Sequence, residues 1–124
     1  MRVYLSGPMT GVPDHNIPAF RAAAERLRAE GHFVISPAEI SALFGTPDEI
    51  ARSFSAMYGE IVFGGPPRDP ELARSIMSAD LAAVRSCDAI YLLRGWETSR
   101  GAKKELAEAI AHGLQIIQEN ENAD

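Results

Sequence analysis

Ala89-Ile90-Tyr91-Leu92-Leu93-Arg94-Gly95-Trp96-Glu97-Thr98-Ser99-Arg100-Gly101-Ala102-Lys103-Lys104-Glu105 joins an apolar run to a helical repeat through a polar loop. The apolar run Ala89 to Leu93 reads as a strand that empties into a polar loop, where a helix begins. Ala102, Leu106, Ala109 and Ile110 recur at helical spacing and define the face expected to pack on a sheet. Glu105 follows Ala102 by three residues and precedes Ala109 by four, which sets it at the border of that face. Lys104, Ala107 and Ala111 point the other way. A carboxylate where a strand end, a loop and a helix start meet occupies a usual ligand position of an open α/β sheet. Spacing alone leaves a second reading equally open, a solvated glutamate whose stem lies along the core edge.

Upstream, Arg2 to Ser6 reads as the first strand, followed by the loop Gly7-Pro8-Met9-Thr10-Gly11-Val12-Pro13. A glycine directly after a strand lets the backbone approach a ligand closely, although a plain tight turn is the more common explanation. The loop is neither a Gly-x-Gly-x-x-Gly fingerprint nor a P-loop, which argues against classical NAD or ATP binding. Asn16 is a candidate helix cap with Pro18 in the first turn. Phe20, Ala23, Ala24, Leu27 and Arg28 carry a helix to Glu30, and Gly31 ends it. His32 to Ile35 is the second strand; His15 stands in the first loop, where it can face a pocket.

Residues 38–69 are the least legible. Short helices are expected over Ala38–Phe44 and Asp48–Met57, and Glu60–Phe63 as an edge strand or part of a lid. Gly64 to Pro70 is a loop. An irregular insertion at about 44–69 in so small a domain is functional or mobile.

Pro70 or Glu71 opens a helix running to about Arg85, with Leu72, Ala73, Ile76, Met77, Ala83 and Val84 on its apolar face. Asp80 falls in the middle of that face. A buried carboxylate costs several kcal/mol unless paired or hydrogen-bonded, so Asp80 either caps a backbone segment, pairs with an arginine, or serves a site. Asp88 precedes the third strand as a turn or cap residue. Gly113 stops the last helix, Leu114 to Gln118 forms a final strand, and Glu119 to Asp124 is a polar tail.

The alternation of strands and helices predicts one α/β domain over residues 1–124, a Rossmann-like (flavodoxin-like) three-layer sandwich with a four- to five-stranded parallel sheet. A hydrophobic content of 46% is that of a globular chain, and a formal net charge of -5 argues against a nucleic-acid binder. The single cysteine, Cys87, permits no internal disulfide, and no Cys/His cluster has zinc spacing. With no signal peptide and no apolar run of membrane-spanning length, a soluble cytoplasmic protein is expected.

Tyr4-Leu5-Ser6-Gly7, the Asp80 helix, and Ser99-Arg100-Gly101 leading to Glu105-Leu106 together resemble the nucleoside 2-deoxyribosyltransferase superfamily, which includes the 2'-deoxynucleoside 5'-phosphate N-hydrolases. The likeness covers most of the chain outside residues 44–69. The Gly7-Pro8-Met9-Thr10-Gly11 start and the Gly95–Ala102 run are most similar to a phage and bacterial branch. The resemblance implies that Glu105 attacks the anomeric carbon of a sugar, that Asp80 works beside it, and that Tyr4 orients the nucleophile. It implies substrate binding by Gly7, Met9, Gly11, Ser99 and Gly101, with Ser99 at the substrate's 5' end and Gly7 and Gly101 as close-approach glycines. Trp96, in the loop before the catalytic helix, is placed to stack on a base or simply to pack. Pro8 and Thr10 stand where the phosphate hydrolases carry a serine and an arginine.

The implied activity is cleavage or transfer of the N-glycosidic bond of a (deoxy)nucleoside or nucleoside 5'-monophosphate by a homodimer or higher homo-oligomer, without metal or cofactor and with no nucleic-acid or membrane partner. Such a reaction passes through an oxocarbenium-like transition state that one carboxylate captures while a second carboxyl group protonates the leaving base. The alternative is a non-catalytic nucleotide- or nucleotide-sugar-binding module.

Overall fold

The structure is a computed structural model describing residues 1–9, 11–59 and 69–119. Four strands, β1 (Arg2–Ser6), β2 (Phe33–Ile35), β3 (Ala89–Leu92) and β4 (Gln115–Gln118), alternate with helices α1 (Ile17–Ala29), α2 (Pro37–Ser41), α3 (Pro47–Tyr58), α4 (Pro70–Arg85) and α5 (Arg100–Ala111). The strands form one all-parallel sheet in the order β2-β1-β3-β4. This is the flavodoxin-like arrangement, with helices on both faces. The expected edge strand at Glu60–Phe63 and most of the following loop lie outside the described residues, as does nearly all of the tail. Among the described residues no helix is long and apolar enough to cross a membrane.

Because side chains alternate across a strand, β1 divides the core in two. Val3 and Leu5 join Phe20, Ala23, Ala24 and Leu27 of α1 on one face. Tyr4 packs on the other face with Val84 of α4, Ile90 and Leu92 of β3, and Ala109 of α5. Arg28 lies beside the core rather than in it: its guanidinium donates to the Val34 carbonyl and to Glu39. Asp88 accepts the Arg2 N–H at 2.8 Å and so ties the start of β3 to β1.

Three local expectations need correction. Asn16 stands at the N-cap position of α1 but its side chain makes no capping bond. A 3₁₀ turn at Pro13–Asn16 leads into the helix instead, with Asp14, His15 and Asn16 all in the left-handed region. The short helix expected over Ala38–Phe44 stops at Ser41. Ile110 is 59% exposed, whereas Glu105 is 4% exposed. The buried stripe of α5 therefore runs Ala102, Glu105, Ala109. The helix turns its carboxylate inward because two hydroxyl donors wait there; rolling it to bury Ile110 would lift Glu105 away from them.

The span from 44 to 58 is well built. Thr46 Oγ1 accepts the Glu49 N–H, and the Glu49 carboxylate accepts the Thr46 N–H, a capping box that starts α3. Gly59, in the left-handed region at φ 69°, ends it. The Ser53 hydroxyl donates to the Asp69 carbonyl at 2.5 Å and accepts the Ala73 N–H at 2.8 Å, stitching α3 to the first turn of α4.

Candidate active site

In an open parallel sheet, ligands bind beyond the carboxyl ends of the strands where the strand order reverses, here between β1 and β3. A cavity of about 370 Å³ opens at that point. Gly7, Met9 and Gly11 line it from the loop after β1, and Ser99 and Gly101 from the start of α5. Asp80 and Glu105 reach it from α4 and α5. Ile50, Phe54 and Tyr58 of α3 form a further, largely apolar wall.

Tyr4 and Ser6 are two residues apart on β1 and project to the same face. Both side chains are fully buried and both donate to Glu105: the Tyr4 hydroxyl to Oε2 and the Ser6 hydroxyl to Oε1, each at 2.6 Å. Asp80 is 4% exposed, and its Oδ1 is buried with no hydrogen-bond partner among the described residues. Among the described residues Asp80 makes neither a capping bond nor an arginine pair.

The environments of the two acids differ in a way that sorts their protons. Burial raises the pKa of Glu105, but the bonds from Ser6 and Tyr4 favour its anion and pull it back down. Burial raises Asp80 as well, and the charge of Glu105 pushes it further in the same direction. Glu105 is thus the group that ionises first, and Asp80 the one that keeps its proton. The Tyr4 hydroxyl is raised well above its ordinary value by burial and then by the charges of Glu105 and Asp80, so it remains a donor.

The remaining sequence candidates sort by what they touch. A Cβ on Gly7 would come within 2.8 Å of the Leu93 Cβ, so its lack of side chain lets the chain leaving β1 pass close to the chain leaving β3, even though the residue lines the cavity. A Cβ on Gly101 would meet Met77 at 3.5 Å and the Tyr58 hydroxyl at 4.0 Å, ordinary contacts at the cavity wall. Ser99 caps α5, its Oγ accepting the Ala102 N–H at 3.1 Å. His15 lines the cavity and pairs with Asp48 of α3 at 2.9 Å. Trp96 is not part of the wall; it packs half-buried against the core cluster that contains Tyr4.

Two features escaped sequence reasoning. Ser6 was given no role, although its place two residues after Tyr4 on a strand sets both on one face. The α3 wall was announced by Thr46-Pro47-Asp48-Glu49, a capping-box pattern with proline at the first helical position. At the cavity rim the Arg100 guanidinium lies 5.3 Å over the Tyr58 ring and donates to the Tyr58 carbonyl, while Lys104 Nζ lies 4.9 Å over the same ring.

Residues 1–118 match the profile of a family described as a domain of unknown function, DUF4406. This chain belongs to the DUF4406 family. A search of curated protein sequences gave no match. Among solved structures, the DUF4406 domain is similar to a 2-deoxyribosyltransferase from the psychrotolerant bacterium Bacillus psychrosaccharolyticus. The two are 20% identical; the match covers 95% of this chain and 71% of that one, with a TM-score of 0.60. At that identity the likeness establishes a shared fold for the DUF4406 domain.

Proposed function

We propose that this DUF4406 domain cleaves or transfers the N-glycosidic bond of a nucleoside or nucleoside 5'-monophosphate, with Glu105 as nucleophile and Asp80 as proton donor. The observation that carries the reading is the pair of buried carboxyl groups at the sheet's switch point. One is held by two hydroxyls and the other has an oxygen without a partner among the described residues, a division of environments suited to a base and an acid. The shared fold with a 2-deoxyribosyltransferase supports the same reading.

In the first step a Glu105 oxygen bonds to the anomeric carbon as the carbon–nitrogen bond breaks, and the departing base takes the Asp80 proton. Asp80, now an anion, then removes a proton from water or from an acceptor base, which attacks the same carbon and releases Glu105. Tyr4 holds the nucleophile throughout. A homo-oligomer is expected on this reading, and sedimentation tests it.

Incubation with ribo- and deoxynucleosides and their 5'-monophosphates, with and without an added acceptor base, tests the proposal by chromatography of free base. Release by wild type but not by Glu105→Gln is expected. Tight binding of any of these compounds without product would favour a non-catalytic nucleotide-binding module instead.

A further inference from the structure

Ser6 has no assigned role in the reaction above, yet its placement is specific. It is the last residue of β1, opposite Leu92 of β3, and its carbonyl accepts the Leu93 N–H at 2.8 Å. The sheet therefore fixes the backbone that carries the hydroxyl, unlike a serine on a loop. The side chain is fully buried, and its hydroxyl meets Glu105 Oε1 at the same 2.6 Å at which Tyr4 meets Oε2.

We propose that Ser6 is a positioning residue for Glu105, clamping one carboxylate oxygen while Tyr4 clamps the other, so that the nucleophile is presented to the cavity in a single orientation. This rests on the reading of Glu105 as nucleophile. A carboxylate with a free end rotates about its last bond; one donor on each oxygen fixes its plane and leaves each oxygen a second lone pair. Tyr4 alone would hold one oxygen and leave the other buried without a donor, which is costly for an anion. The clamp also has an electrostatic consequence. Glu105 sits where burial disfavours its charge, and hydrogen bonds to the ionised form are what restore a working fraction of anion near neutral pH. A donor on each oxygen weakens the nucleophile somewhat. In exchange the group is ionised and aimed.

A purely structural serine would stabilise the fold without governing the ionisation of Glu105, and this separates the two possibilities. Protein carrying ¹³C-labelled glutamate side-chain carboxyls is titrated by NMR as wild type, Ser6→Ala and Ser6→Thr, with the Glu105 signal assigned by its loss in Glu105→Gln. Turnover is followed over the same pH range. In Ser6→Ala the Glu105 midpoint is expected to rise by about one pH unit, equivalent to a roughly tenfold change in the ionisation equilibrium. kcat is expected to fall by about tenfold, with the acid limb of the profile displaced alike and KM within about twofold. Ser6→Thr, which keeps the hydroxyl, should titrate as wild type.

A Ser6→Ala midpoint equal to that of wild type overturns the clamp. So does a midpoint displaced equally in Ser6→Thr, which would indicate altered packing. If Ser6→Ala fails to fold, Ser6→Cys, with its weaker donor, replaces it, and an unmoved midpoint there has the same force. The titration needs no substrate. A wild type that releases no base while its Glu105 midpoint still depends on Ser6 sinks the glycosidic reading and leaves the clamp standing.

Discussion

Asp80 and Glu105 face one cavity with unequal hydrogen bonding: each Glu105 oxygen receives a hydroxyl, whereas Asp80 Oδ1 has no partner among the described residues. The proposed reaction uses Glu105 ionised and Asp80 protonated. The pair is coupled, so its two apparent values belong to the dyad. They lie at about 7 and about 8, with Glu105 the more readily ionised member because Ser6 and Tyr4 donate to it. A narrow bell-shaped dependence of kcat/KM on pH is expected, falling below about 7 and above about 8. A profile flat from pH 5 to 9 would contradict the assignment of acid and base.

The same displacement has a stability consequence of opposite sense to the usual acidic residue. Asp80 holds its proton in the folded chain up to about 8, against an ordinary value of 3.8. Between those values the folded state binds more protons than the unfolded one, so stability is greatest at low pH and declines as pH rises through the window. Asp80→Asn removes this penalty. It is expected to raise the thermal midpoint at pH 8.5 more than at pH 5, with even one unit of displacement corresponding to about 1.4 kcal/mol. Denaturation scans at the two pH values check this; an equal effect at both contradicts a buried, proton-holding Asp80.

Asp80→Asn should at the same time lower kcat by about 10²- to 10⁴-fold on substrates whose base must be protonated to leave. Substrates with a leaving group that departs as a stable anion should lose far less. Comparing the two substrate types in the variant and in wild type measures the proton's share of the barrier. Equal losses on both would remove Asp80 from the acid role.

Strong local patterns were readable from the residues. Ala89–Leu93 empties into a polar loop, and Asp80 interrupts an otherwise apolar helical face, so the β3–α5 unit and one acid of the site followed from periodicity. Glu105 was harder. Its neighbour Ile110 looked like the better core residue by hydrophobicity, and the choice between them is made by Tyr4 and Ser6, about a hundred residues upstream, which no local pattern contains. Trp96 was legible only as two alternatives: an aromatic in that loop has the chemistry to stack on a base or to pack, and the packing of its ring against the cluster that contains Tyr4 is set by tertiary structure.

The two close-approach candidates, Gly7 and Gly101, should separate cleanly on substitution. At Gly7 a methyl group would press on the Leu93 Cβ at 2.8 Å, where backbone and core must shift. Gly7→Ala is expected to cost about 1–3 kcal/mol of stability. At Gly101 the nearest atoms are 3.5 Å or more away, so Gly101→Ala should fold normally while its methyl narrows the cavity beside Met77 and Tyr58. A several-fold rise in KM with an unchanged thermal midpoint is expected there. Unfolding curves and steady-state kinetics on both variants check the pair, and a reversed pattern would mean that Gly7 rather than Gly101 bounds the substrate.

Trp96 is the chain's single tryptophan, which makes its role directly observable by fluorescence. It packs against the cluster of Tyr4, Val84, Ile90 and Ala109 and does not line the cavity. Truncation to alanine removes a large, half-buried ring and is expected to cost about 2–3 kcal/mol, somewhat below the range for a fully buried aromatic. Trp96→Phe should keep most of the packing, with KM within about twofold of wild type. On unfolding, the emission of wild type should shift to the red as the ring enters water. If the indole serves packing alone, saturating substrate should leave the emission nearly unchanged. Strong quenching on substrate addition, together with a large KM increase in Trp96→Phe, would return the residue to the binding surface and require the loop from Gly95 to Ser99 to rearrange around the ligand.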